Sequence, residues 1–310
     1  MNVVTHSFKE RVFKRPSVKI GFKIKLIFNI VDDITLLPQF LSYYSQLGVD
    51  EFLINVTDES GDGSILDVCK HFLQHTRHVI TNTHSGRARW ALQMEMAKRA
   101  QRRFCDTKDW ILHVGLDEFH EYPAALRDFF TQCDRIGTNL VTGECIDRVS
   151  PNGELNRLEP DVPVFEQFPL ACQLSQELLQ VPRWRTVAAR GNVFVSKTFD
   201  AEMDPLVQKG IEAGVISVHP AAIQVHHFKW HERMLKAIKQ EREEARAAQL
   251  IAGHGAKESI SDNSRIINYF EKTGDRIDLS SKALDVHHPD ARVRSMFPVS
   301  DLALTRKKKN

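Results

Sequence analysis

Long apolar runs are missing from this 310-residue chain, so no segment is expected to cross a bilayer. The N-terminus carries charge but no apolar core of secretory type, and no signal peptide is expected. Paired cysteines are missing as well. Cys69, Cys105, Cys133, Cys145 and Cys172 are widely spaced and form no CxxC motif, which excludes a disulfide framework and a cysteine zinc site and suits a reducing cytoplasm. Net charge is nearly absent. The 42 Lys and Arg against 40 Asp and Glu leave +2, which speaks against nucleic acid as a partner. Neither internal repeats nor low-complexity tracts occur.

What is present is an ordinary globular composition, 42% hydrophobic and 26% charged. The length allows one large domain or a domain with an appendage. Positive charge gathers at the ends, in Lys9, Arg11, Lys14 and Arg15 and again from Arg306 to Lys309. Such runs are either solvated tails or contacts to an anionic membrane, which would put a cytoplasmic protein at the membrane's inner face.

The apolar pattern alternates between strand and helix. Lys23 to Val31 reads as a strand buried on both faces. Asp32 or Asp33 is placed to cap a helix carrying Leu36, Leu37, Phe40, Leu41 and Tyr44, with Gly48 as its stop. Glu51 to Val56 is a second strand. A loop, Thr57 to Ser64, follows, and Ser64 or Asp62 is placed to cap a helix over 65–74. His78 to Thr81 is a third strand. A helix then repeats Ala88, Leu92, Met96, Ala100 and Phe104, and Trp110 to Val114 is a fourth strand. This alternation predicts a parallel, Rossmann-like half with right-handed crossovers. Later strands are expected in Asn139 to Ile146, Val187 to Val195 and Val215 to Lys229, and helices in His231 to Leu250 and over 262–272. Residues 150–182 read as irregular, and the tail after about 275 as polar and loosely packed.

Four clusters could carry chemistry. Asp117-Glu118 ends the fourth strand, where open α/β sheets bind ligands. It is either a cation site or an acidic surface turn. The loop Asp58-Glu59-Ser60-Gly61-Asp62-Gly63 lies at the same sheet edge and could meet a ribose or base, although it lacks the ligand spacing of a calcium loop. His226-His227-Phe228-Lys229-Trp230-His231 offers imidazoles for a metal and a lysine for a phosphate. Phe228 stands where the glutamate of a metalloprotease HExxH would be. Arg183, Trp184, Arg185 and Arg190 could clamp a phosphate or form surface ion pairs.

Taken in order, Gln46-Leu47-Gly48-Val49-Asp50, the Asp58 to Gly63 loop, Asp109-Trp110-Ile111-Leu112 with Leu116-Asp117-Glu118-Phe119, and His227-Phe228-Lys229-Trp230 resemble the GT-A glycosyltransferases, in particular the family-2-like group. The resemblance covers about residues 23–235. It implies an α/β, Rossmann-like GT-A nucleotide-sugar-binding fold with a mostly parallel central sheet and a helical C-terminal appendage. The basic lead-in would be 1–18, the GT-A domain 19–230 and the helical extension with its basic tail 231–310. It further implies transfer from a nucleotide-sugar donor, UDP-linked in many members, with Mn²⁺ or Mg²⁺ on the diphosphate and a glycan or lipid-linked acceptor. Surface polysaccharide synthesis is the expected setting.

The implied metal ligands are Asp117, His226 and His227. The implied donor contacts are Asp32, Asp33, Asp58, Asp62, Arg87 and Lys229. The implied catalytic groups are Asp117 and Glu118, and a carboxylate base near the acceptor is open among Asp204, Glu166, Asp200 and Glu202, which lie in the right portion of the chain. Two departures stand out. Gly115 occupies the place of the first acid of the DxD motif, and Val31-Asp32-Asp33 replaces the usual Asn-Glu after the first strand. Loss of that acid makes a non-catalytic nucleotide- or glycan-binding protein on the same fold the alternative. A zinc hydrolase built on His226, His227 and His231 is a further one.

Overall fold

A computed structural model of the chain describes residues 21–31, 34–58, 61, 63–74, 76–85, 90–193, 205–252 and 257–288. The expected site residues Asp32, Asp33, Glu59, Asp62, Arg87, Asp200, Glu202 and Asp204, and both basic ends, lie outside these residues.

In chain order the elements are β1 (Ile24–Val31), α1 (Leu37–Leu47), β2 (Glu51–Asp58), α2 (Ser64–Leu73), β3 (His78–Ser85), α3 (Trp90–Phe104), β4 (Trp110–His113), β5 (Glu118–Glu121), α4 (Leu126–Arg135), β6 (Leu140–Val149), α5 (Val164–Gln167), β7 (Leu170–Cys172), α6 (Leu174–Leu179), β8 (Trp184–Arg190), α7 (Pro205–Glu212), β9 (Ile223–His227), α8 (Glu232–Ala252) and α9 (Lys257–Thr273), with a 3₁₀ turn at Lys282–Leu284. The strands join one nine-stranded sheet in the order β3-β2-β1-β4-β8-β6-β9-β5, and β7 pairs with β6 beside this path. β1, β2, β3, β4, β6 and β9 run one way, and β5, β7 and β8 run against them. The chain therefore has the α/β, Rossmann-like architecture with a mostly parallel sheet, followed by C-terminal helices. No described helix is long and apolar enough to cross a membrane.

Local sequence explains most of the parallel half. β1 is buried nearly throughout, as its continuous apolar run requires. α1 ends at Gly48, whose φ of 97° few other residues adopt. The amides of Gly48 and Val49 close the helix on the carbonyls of Ser45 and Tyr44.

Several local expectations change. α1 starts at Leu37 with Leu36 in the cap position and Pro38 in the first turn, so neither Asp32 nor Asp33 is its cap. α2 is preceded by Gly63 at φ 79°, without a side-chain cap. β3 runs on to Ser85, because Thr81 and Asn82 bond across to Asn55 and satisfy polar groups that would otherwise end the strand.

Residues 150–182 contain α5, β7 and α6. The tail beyond 275 is not loose as far as 288. Ile277 and Leu284 are buried in a second core with Trp230, Ile266, Ile267, Phe270 and Leu174, and the Ile277 amide donates to the Gly153 carbonyl at 2.7 Å. α8 and α9 thus share a core with β7, α6 and Val149. The main core packs Phe28, Phe40, Tyr44, Phe119, Phe165 and Phe228 under the sheet.

Candidate functional site

The chain leaves β4 at His113 and turns at Gly115-Leu116-Asp117-Glu118. The turn is closed by the Glu118 amide donating to the Gly115 carbonyl at 3.0 Å. Pairing then resumes as β5, antiparallel to β9, with Glu118 opposite His227 and Phe119 opposite His226. Residues opposite one another share a face, and successive residues alternate. Glu118 and His227 therefore face the turn, while Phe119 and His226 face the aromatic core. This hairpin-like continuation is hidden in the sequence, since Glu-Phe-His-Glu is short and polar for a strand.

The outcome is a compact cluster. Ligand atoms of Asp117, Glu118 and His227 all lie within 4.8 Å of one another, and this is the group of possible metal ligands that converges among the described residues. His227 Nε2 is 3.2 Å from Asp117 Oδ2, and its Nδ1 is 3.0 Å from Asp147 Oδ1. Asp117 is 40% exposed, whereas Asp147 has no exposed side-chain surface. One Glu118 oxygen accepts the Gly115 amide at 2.7 Å, and the other pairs with Arg185.

Burial alone would lower the pKa of His227. The carboxylate of Asp117 and the bonds to Asp117 and Asp147 outweigh burial and hold it well above the ordinary histidine value. For Asp147 burial pushes upward, and the bonds from His227 and Ser175 win and hold it below the usual carboxylate range. Arg185 remains charged. Burial opposes its charge, and Glu118, Asp117 and Asp147 more than restore it.

Beside the cluster opens a cleft of about 270 Å³. Val114 to Asp117 form one wall. Asn29 and Val31 of β1, Leu36, Gln93 of α3, Leu158 and His231 form the rest. Asn29 is held by an amide ladder, accepting from Asn55 at 2.9 Å, while Asn55 accepts from Thr81 and Asn82 at 2.6 and 2.7 Å.

The other expected site residues fall as follows. Asp58 is buried at the carboxyl end of β2 and accepts the amides of Gly61 and Gly63 at 3.0 and 2.7 Å, so it braces its loop. His226 is fully buried, 3.1 Å from Glu121 and edge-on to Phe165, on the face away from Asp117. The Lys229 ammonium lies 5.5 Å from the centre of the Trp230 ring. Arg183 and Arg190 pair with Glu144 and Asp134, and Trp184 is half-exposed. Glu166 is exposed on α5. Sequence reasoning missed Asn29, Gln93, Asp147 and Ser175. Asn29, a polar residue near the carboxyl end of the apolar run of β1, was the available signal.

No family model matches the chain, and no curated protein matches it. Solved structures do. TarS residues 1–349 of S. aureus is 12% identical over 82% of this chain and 74% of that one, at a TM-score of 0.37. The glucosyl-3-phosphoglycerate synthase of Mycobacterium tuberculosis, in complex with Mn²⁺, UDP and glucosyl-3-phosphoglycerate, is 12% identical over 89% and 92%, at 0.36. The same synthase with phosphoglyceric acid is 14% identical over 85% and 87%, at 0.37.

Proposed function

We propose that the chain is a glycosyltransferase. It would take a nucleotide-diphosphate sugar, UDP-linked, with a divalent metal on the diphosphate, and pass the sugar to a saccharide or lipid-linked acceptor in surface polysaccharide synthesis. The observation that carries this reading is the convergence of Asp117, Glu118 and His227 at the carboxyl rim of the parallel strands, against the cleft. The four motifs, met in the order of the GT-A group, support it.

The donor set fits the metal. Carboxylate oxygens suit Mg²⁺ and Mn²⁺, and an imidazole nitrogen tips the choice towards Mn²⁺. When bound, the ion neutralises charge that develops on the leaving diphosphate. Around it, Asp117 and Glu118 would supply oxygens and His227 Nε2 a nitrogen. Arg185 fixes Glu118 from behind. Asn29 and Gln93 present amides to the cleft for polar groups of the nucleoside. Asp58 would shape the loop that meets the nucleoside, and Lys229 would meet a phosphate. Asp32, Asp33, Asp62 and Arg87 remain proposed donor contacts, and Asp204 the proposed base.

Titration calorimetry tests the reading. UDP should bind in the presence of Mn²⁺ and lose most of its affinity in Asp117→Ala. Equal binding by the variant overturns the assignment. Hydrolysis of a donor sugar separates catalysis from mere binding. Binding with no turnover of any common donor would favour the non-catalytic alternative, which Gly115 motivates.

A further inference from the structure

Asp147 lies near the carboxyl end of β6, opposite Cys172 on one side and His227 on the other. A carboxylate with no exposed surface is expensive to hold in a sheet, and replacing a buried ion pair by apolar residues is commonly neutral for stability. Stability is therefore a poor reason for its presence. Its bonds point to another. Oδ2 accepts the Ser175 amide at 2.5 Å, and Oδ1 accepts the Ser175 hydroxyl at 2.7 Å. Those bonds fix the carboxylate plane, and the remaining direction of Oδ1 is taken by His227 Nδ1 at 3.0 Å.

We propose that Asp147, aimed by Ser175, is a positioning residue for the candidate metal site: its carboxylate keeps the proton of His227 on Nδ1, so that Nε2, the atom facing Asp117, is the nitrogen that ligates. The inference rests on the metal reading above. A ligating imidazole that donates its second N–H to a carboxylate is a general device for fixing tautomer and ring direction. Here β6 and β9 run parallel and in register at Asp147 and His227, so the sheet itself holds the two together.

The proposal makes Asp147→Asn a tautomer switch. The Ser175 backbone amide can only donate, so the new side chain must turn its oxygen to that amide. Its NH₂ then faces Nδ1, which must accept. The ring proton moves to Nε2, and the ligating lone pair is lost. Mn²⁺ affinity, measured by calorimetry on the full chain without nucleotide, should fall about 10- to 100-fold. In pulsed electron paramagnetic resonance the ¹⁴N coupling to Mn²⁺ seen in the unaltered protein should vanish, as it should in His227→Gln.

Failure can be assigned. If the unaltered protein binds no Mn²⁺, or His227→Gln binds it equally well, the metal reading falls and this inference with it. If Mn²⁺ binds through His227 and Asp147→Asn keeps both affinity and coupling, this inference alone is overturned. Thermal melting without metal checks that the variant folds. Should it not fold, Ser175→Ala, which keeps the charge and removes one restraint, is expected to weaken Mn²⁺ several-fold. Unchanged affinity and coupling in that variant overturn the proposal.

Discussion

The two ends of the central sheet use their acids differently. At the amino ends of the strands, Asp109 is buried and accepts the amides of Lys23 and Asp106 at 3.0 Å each, with the Lys25 ammonium 3.1 Å away. Asp50 accepts the Ile24 amide at 2.7 Å and pairs with Arg127 at 2.6 Å. These carboxylates tie β1, β2 and β4 together through backbone amides and neighbouring cations. At the carboxyl ends, Asp117 meets an imidazole and a cleft, and its side chain stays 40% exposed. Motif acids of the same resemblance thus divide into fold-holding and ligand-facing groups, and Asp58, buried at the carboxyl end of β2 with its oxygens on the amides of Gly61 and Gly63, belongs with the first.

The sharpest break of this contrast is Asp109→Ala. It should cost about 3 kcal/mol, because the amides of Lys23 and Asp106 lose their acceptor and the buried Lys25 keeps only Glu51, 3.6 Å away, as a carboxylate partner. Urea denaturation measures the loss, while Mn²⁺ affinity per folded molecule should not move. A loss under about 1 kcal/mol would put Asp109 among ordinary surface acids. Asp117→Ala should behave in mirror image, losing ligand and costing far less stability than Asp109→Ala.

Acid and base separate the two ends next. Burial pushes the Asp109 carboxyl up, but the amides of Lys23 and Asp106 and the Lys25 ammonium outweigh it and hold it low. The stability it contributes is complete above about 3.9 and is lost as pH falls through the lowered folded value. His227 is raised, so its contribution is complete below about 6.5 and is lost as pH rises through its folded value. In urea denaturation of the metal-free protein across pH, Asp109→Asn should flatten the acid limb and His227→Gln the alkaline limb. Exchanged effects would dissolve the distinction.

The smallest expected effect concerns Gly115. A Cβ there would lie 2.7 Å from Asp117 Oδ1 and 3.0 Å from Glu118 Cδ, in space the two carboxylates already fill. Gly115→Asp should therefore displace a ligand instead of adding one. Mn²⁺ affinity should fall a few-fold and stability by about 1 kcal/mol. Tighter Mn²⁺ binding would show that the turn relaxes to admit the acid.

The parallel half is legible because β1, β2 and β4 are apolar runs separated by helices with a 3.6-residue period. Asp117 is legible because it follows an apolar strand at the sheet edge where open α/β sheets bind ligands. Asp147 is not, since one acid inside a strand says nothing about partners that the fold brings from residues 175 and 227. His226 and His227 look equivalent as a string, and only their assignment to a strand turns the rings to opposite faces. The tail hides Ile277 and Leu284 because isolated apolar residues in polar sequence have no period to reveal them.

The pairing of Glu118 with His227 sets a limit on length. With a side-chain repeat of two, one residue added between Val114 and Glu118 would shift β5 by one place, carry Glu118 into the position of Phe119 and turn the benzyl ring of Phe119 to the opposite face. The Glu118 oxygens would then point into the aromatic core. The spacing of that four-residue corner is thus as binding on its descendants as the identity of any acid it carries.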